Sequence, residues 1–445
     1  MNKKNFITFS LLVIIFFLTI SCSILGNNNK IDEIINLGLS GGNSNQEGKA
    51  YYINYDQNSV MQFISGFLFD GSNYYISGSA SNFLGLIKLD SDLQVVYAKK
   101  YIGDQSIYSY VFTNLSFNPF NSSKLYVGGM INNTGIIAEI DKNTGDLNII
   151  KSYNNAGSIS ILNDLNNLYG IVQTGYILKF DYNLNLLTAK YAATYGEYIF
   201  SNPIQNNNFI AIHYAKRNIF NIYYDYGIIL INKDLTSAYE ISGVDPLTRS
   251  TINDNNLYLI DTKLVDPMGQ NNNRNLILAK IDLSNPNNFN VTSSKEYIVN
   301  DRFISIRSAL INQDLIIGFS NLNGTLTFLK INTQNLDIVS QINLTPRNND
   351  RLSIDHILPL NNGGFCAISY FNNFGYILQM PSNFNLNLNN CVFNISSSNI
   401  TATNFNYNLN LSDITNNFND QSLTEANTPN LNSQDLNVVL NCSNP

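Results

Sequence analysis

Two histidines, His213 and His356, are all that this 445-residue chain offers for imidazole chemistry. His213 lies in the apolar run FIAIHYA, and His356 follows Asp355 in LSIDHILPL. A Ser–His–acid triad would need one of them beside a hydroxyl and a carboxylate. No G-x-S-x-G turn is present to present that hydroxyl. Both histidines are therefore read as satisfied core or channel-lining residues. Glycoside hydrolysis would instead use two carboxyl groups held a fixed distance apart. The candidates are Asp355 together with Asp261 and Asp266 of LIDTKLVDP, which the spacing places between the second and third strands of one repeat. Distance along a chain does not set distance in space, and these acids are expected to be structural. DKNTGD, Asp141 to Asp146, begins like a calcium loop but lacks the later oxygen ligands of the 12-residue pattern, and reads as a hairpin turn. No H-E-x-x-H, phosphate-binding loop, dinucleotide turn or C-x-x-C occurs. The expectation is no catalytic residue, no metal and no cofactor.

Bulk properties narrow the field further. The net charge is −7 and charged residues make up 13% of the chain, so no basic face is expected to draw in nucleic acid. Hydrophobic residues make up 44%, with 27 Tyr, 26 Phe and no Trp, which is enough to build a large core. Asparagine supplies much of the polarity and favours turns.

The elements that must position any site follow from an internal period. LGLIKLD returns as GIIAEID, GYILKFD, GIILIN, LILAKID, LTFLKIN and GYILQMP. The matching residues are Lys88, Glu139, Lys179, Leu230, Lys280, Lys330 and Gln379, separated by 51, 40, 51, 50, 50 and 49 residues. A period in this range signals a solenoid, propeller or array. Each unit holds four β-rich runs with Asn, Gly, Asp and Ser between them. The first unit is expected to form strands over Val60–Phe69, Tyr74–Ala80, Leu84–Asp90 and Leu93–Tyr101, with its first hairpin turn at DGSN. Each four-stranded unit leaves apolar faces that only its neighbours can cover. A closed ring covers all of them. The expected fold is all-β: a single seven-bladed β-propeller of four-stranded antiparallel blades over residues 50–390.

The blades resemble a known family of bacterial propeller repeats, in which a YVAGxT strand precedes FLxKLD and then VxWxKxY. The counterparts here are YYISGSA, LGLIKLD and VVYAKKY, with Tyr97 where that family often has Trp. The resemblance implies the propeller fold and no particular activity. For closure, AYYINY (Ala50 to Tyr55) resembles the outer runs of other blades and is expected to complete blade seven; NFNLNLNNCVF, from the other side, is the alternative.

The N-terminal stretch MNKKNFITFSLLVIIFFLTISCS has two lysines, an apolar run too short for a comfortable membrane span, and Ser21 before Cys22. It resembles a bacterial lipoprotein signal, with Thr19 where Leu is usual. That implies cleavage after residue 21, acylation of Cys22, and a location at the outer membrane or cell surface. Simple secretory cleavage is the other reading. Residues 22–49 read as a flexible tether. In an oxidising compartment, Cys391 and Cys442 are the expected disulfide, with Cys366 a buried core thiol. The disulfide would close a C-terminal β appendage or tail over residues 391–445. Within it, FNYNLNL alternates like a half-exposed strand.

One deviation in loop length points to recognition. The connections KRNIFNIYYD in blade four and TKLVDPMGQNNNRN in blade five are longer than their equivalents. They would carry Ile219, Phe220, Tyr223, Tyr224, Asp266 and Met268 to one rim. Adjacent exposed aromatic and apolar side chains suit a binding patch. The functional expectation is a monomeric binding or scaffolding module for an envelope protein or glycan, held to the membrane by its lipid. The alternatives are a carbohydrate-active enzyme with acids at the channel mouth, and an outer-membrane assembly lipoprotein. The last rests on IDKNTGDLNI, which resembles the repeats of lipid-anchored assembly propellers.

Overall fold

The computed structural model describes residues 48–441, apart from 56–62, 81, 104–109, 193–196, 218–222, 267–271, 286–287, 348–350, 372–373, 387–391 and 422. All lie in the unit Glu47–Pro445. Cys22, Cys391, Cys442, Ile219, Phe220 and Met268 fall outside the described residues, and with them the lipidation and disulfide expectations.

Seven antiparallel sheets form a seven-bladed β-propeller. Blade one is Phe63–Phe69, Asn73–Ala80, Phe83–Asp90 and Val95–Ile102, within a few residues of the expected bounds. The two middle strands are buried along nearly their whole length. Alternate residues serve different neighbours: Tyr74 and Ile76 pack with Ile368 and Ile377 of blade seven, while Tyr75, Leu84 and Leu86 pack with Leu125 and Val127 of blade two. A strand covered on both faces must be apolar throughout, which is why these runs read as continuous rather than alternating.

The recurring lysine has a structural reason. Lys88 Nζ donates to the Lys142 carbonyl (3.4 Å), Lys179 to Lys233 (3.4 Å), Lys280 to Thr333 (3.2 Å) and Lys330 to Ser382 (3.3 Å). Each reaches from the third strand of one blade to the turn that follows the third strand of the next. Gln379 makes the corresponding reach from blade seven to blade one, where its amide donates to the Tyr74 hydroxyl at 3.0 Å. The equivalent turns of five blades hold an apolar residue at positive φ: Leu93, Leu184, Leu235, Leu336 and Phe384, all buried. The left-handed backbone costs about 1–2 kcal/mol at each, and a fully buried Leu returns about 1.5–3 kcal/mol.

The ring closes as the first of the two readings has it. Lys49–Tyr55 pairs antiparallel with Phe374–Met380 and supplies the fourth strand of blade seven. Ile53 on this strand is fully buried in the seam with blade one.

The blades differ from the expectation in one respect. Six of the seven sheets have five strands, so the fourth strand is not the outermost. The extra strands come from the C-terminal segment. Phe393–Ser396 adds to blade six, Thr401–Asn404 to five, Leu411–Asp413 to four, Phe418–Asp420 to three, Asn432–Asp435 to one and Val438–Asn441 to seven. Blade two receives a single bridge, Tyr153 to Glu425. The segment is therefore a belt that runs once around the ring, against the order of the blades. It is not an appendage gathered at one place. FNYNLNL is extended, and Tyr407, Leu409 and Leu411 turn inward, but only Leu411 enters a strand pairing. Belt side chains reach all seven interblade seams, including Val392 and Phe393, Leu436 and Val438, and Ile414. Lysines on the fourth strands meet its acids: Lys99–Asp435 (2.9 Å), Lys190–Asp420 (2.8 Å) and Lys151–Glu425 (3.8 Å). Such exposed pairs are each worth under about 1 kcal/mol, so the apolar contacts hold the belt.

Candidate functional site

The first strand of every blade faces the centre, and together they enclose a cavity of about 790 Å³. Most of the lining is apolar or hydroxylic. Its ionisable residues, among those described, are Arg249, Arg307, Asp355, His213 and His356. Register shows that three of them share a level. Arg249 pairs with Ile260, Arg307 with Gly318 and His356 with Ile368, each the fourth residue of the matching runs LYLI, LIIG and FCAI. Blades five, six and seven thus place Arg, Arg and His on equivalent rungs.

The two guanidinium groups are posed alike. Arg249 Nη1 donates to the Thr248 carbonyl at 2.7 Å, and Arg307 Nη1 to the Ile306 carbonyl at 2.8 Å. Their other contacts differ. Arg307 Nε donates to the Asp355 main-chain carbonyl at 2.6 Å, whereas Arg249 Nε is buried with no hydrogen-bond partner among the described residues. Burial and then the charge of Arg307 pull the Arg249 pKa down to about 10. Burial lowers that of Arg307 too, against the opposing pull of Asp355.

Both histidines line this cavity, as the sequence reading has it. His213, in the second strand of blade four, shares a 2.8 Å hydrogen bond with Ser250 Oγ. Burial, then the charges of Arg249 and Arg307, bring its pKa down to about 3. His356 is brought to about 3 by burial and then by Arg307, against a hydrogen bond to the Ser65 main chain. Two imidazoles held neutral beside two arginines are poor general acids at neutral pH.

The carboxylate pair for glycoside hydrolysis is not assembled among the described residues. Asp355 lines the cavity; Asp261 does not. Asp261 lies within the second strand of blade five rather than in a connection, and its carboxylate is taken up by structure. It accepts from Thr248 Oγ1 (2.6 Å), the Asp245 amide (3.0 Å), the Thr262 amide (2.9 Å) and the Tyr407 hydroxyl of the belt (3.0 Å). Asp266 is exposed beyond the end of that strand. Asp141 accepts from the amides of Asn143 (2.8 Å) and Thr144 (3.1 Å), so DKNTGD is a hairpin turn. Among the described residues no group of three or more His, Cys, Asp or Glu is placed to hold a metal ion.

The two long connections are largely ladder rather than loop. In blade four pairing continues to Arg217 opposite Tyr223, so Tyr223 and Tyr224 belong to the strand Tyr223–Asn232. In blade five it continues to Leu264 opposite Arg274. Blade one, by contrast, turns between Ala80 and Phe83. The link between blades four and five is tied to the second hairpin. Arg274 Nη1 pairs with the Asp245 carboxylate and donates to Thr262 Oγ1 at 2.8 Å. Beside it lies a pocket of about 240 Å³ between the blades, bordered by Tyr214, Tyr226, Pro246 and Arg249. Arg249 therefore edges both this pocket and the central cavity.

Arg249 and Arg307 are the residues that a search for catalytic motifs passes over. The available signal is a repeated Arg-Ser pair, Arg249-Ser250 and Arg307-Ser308, in the inner strands of consecutive repeats. Only seven arginines occur in the chain.

No protein-family model matches this chain, and no curated protein matches it. Among solved structures it is similar to BamB from Moraxella catarrhalis, at 11% identity and a TM-score of 0.43, covering 73% of this chain and 87% of that one. It is similar to the WD40 domain of coronin from Toxoplasma gondii, at 8% identity and 0.49, covering 74% and 86%. The β-propeller domain of Cps50 (Swd1) from Myceliophteria thermophila gives 9% identity and 0.47, covering 73% and 98%.

Proposed function

We propose that the protein is an exported binding propeller, anchored through a lipid on Cys22, that presents one rim to another component of the cell envelope. The observation that carries this reading is the pair of neighbouring hairpins in blades four and five. Both extend the ladder outward on the same side, and the ion pair between Arg274 and Asp245 fixes the second against the intervening link. Backbone pairing that already orders the flanks of such an edge lowers the ordering cost of association. The occupant best suited to paired hairpins is a protein surface; a glycan is the other outcome. What supports the anchor is the resemblance of residues 1–21, directly before Cys22, to a lipoprotein signal.

Two experiments test the reading. Pull-down from detergent-solubilised envelopes compares the intact chain with one in which residues 218–222 and 266–272 are each replaced by a two-residue turn. A partner recovered with the first and lost with the second supports the rim; equal recovery counts against it. Replacing Cys22 by Ala should abolish incorporation of an alkyne-tagged palmitate and release the protein from membranes. Unchanged membrane retention of Cys22→Ala would refute the anchor.

A further inference from the structure

We propose that the central cavity is an oxyanion site, in which Arg249 and Arg307 grip the carboxylate or phosphate group of a small molecule. Four observations lead there. The cavity, at about 790 Å³, falls in the size range of small-molecule sites. Two arginines from consecutive blades stand on equivalent rungs of its wall, each braced by the carbonyl of its own preceding residue. That bracing aims two planar donor forks from neighbouring positions, the arrangement that suits bidentate oxyanions. Among the described residues, Arg249 Nε is buried with no acceptor, and Ser308 Oγ, beside Arg307 on the cavity wall, is likewise without a partner. Buried donors without acceptors are costly, and an oxyanion would satisfy both.

Charge adds to this. The chain is acidic overall, at −7, yet two cations and one carboxylate line its centre. With both histidines neutral, the cavity carries a surplus of positive charge. The charge of Arg307 disfavours the protonated Arg249, and an anion placed between them would relieve that repulsion. Protein carboxylates could have supplied that relief; among the described residues Asp355 alone lines the cavity, and it lies toward Arg307 rather than Arg249. Ser250, already engaged by His213, frames the other side. This inference is independent of the rim proposal and of the lipid anchor.

Isothermal titration of the purified chain with inorganic phosphate, glucuronate and glucose tests it. The phosphate and glucuronate arms separate a free phosphate from an organic carboxylate; glucose is the neutral control. Saturable binding of at least one anion and none of glucose is expected. Arg249→Met should weaken that binding tenfold or more. Asp355→Asn removes the competing negative charge and should tighten it severalfold, a gain that misfolding cannot produce. Absence of saturable binding of both anions to the unaltered chain would overturn the proposal. So would equal affinity in Arg249→Met and the parent at matched melting temperature, or a loss of affinity in a folded Asp355→Asn.

Discussion

Phe393 tests whether the belt is part of the cooperative fold or a strap laid over a finished ring. The side chain is 1% exposed, packs against Tyr376 with ring centroids 6.1 Å apart, and shares a cluster with Leu344 and Val392. Its strand pairs with the outer edge of blade six, and Arg347 reaches the Val392 and Phe393 carbonyls at 3.0 and 3.3 Å. Removing a fully buried aromatic ring costs about 3–5 kcal/mol where the site cannot collapse. The loss is bounded above by the docking free energy of the belt, because a weakly held belt would simply detach. Phe393→Ala is therefore expected to lower global stability by about 3 kcal/mol in urea titration. Ile395→Ala, at a half-buried position in the same strand, should cost about 1 kcal/mol. Hydrogen exchange should show Thr401–Asn404 and Leu411–Asp413 losing protection before the middle strands of the blades do. A change below about 1 kcal/mol in Phe393→Ala, with belt protection intact, would refute the burial argument and with it the role of the belt in stability.

Other outcomes follow from the same geometry. Both histidines have native pKa values near 3 against about 6.5 when unfolded, so below neutrality the unfolded chain takes up protons that the native one does not. Stability should thus fall as the pH drops from 7 to 5, by about 1–2 kcal/mol per histidine, and the double variant His213→Asn, His356→Gln should flatten this slope in urea titrations; an unchanged slope would contradict it. Gln379→Leu leaves the buried Tyr74 hydroxyl without its donor and should cost about 1–3 kcal/mol in thermal or urea unfolding. Cys366 is fully buried and its thiol is pushed upward by that burial, so peptide mapping after iodoacetamide treatment should find it modified only in denatured protein. Labelling in the native state would mean that blade seven opens readily.

The ring was legible because its period is carried by residues with a positional duty. Lys88, Lys179, Lys280 and Lys330 recur since each must reach the next turn, and the runs around them are apolar throughout since both faces are covered. AYYINY disclosed the closure because a fourth strand reads alike wherever it sits in the chain. The belt was hidden by the same logic reversed. Its strands are three or four residues long, mostly solvent-facing, and paired with partners far away in the chain, so no local period marks them. The cavity was hidden for a geometric reason. The second hairpin of blade five is extended, so Arg249 stands further ahead of Lys280 than Arg307 does of Lys330 or His356 of Gln379, and the three share a level that their numbering conceals.

Lys49–Tyr55 lies between two antiparallel partners, with five paired positions to Phe374–Met380 and four to Val438–Asn441. Tension applied at the leading end of this strand would run along two ladders at once, loading their hydrogen bonds in shear instead of peeling them one by one. A molecule hung from its front end would then bear mechanical strain at the seam where its earliest and latest strands interlock.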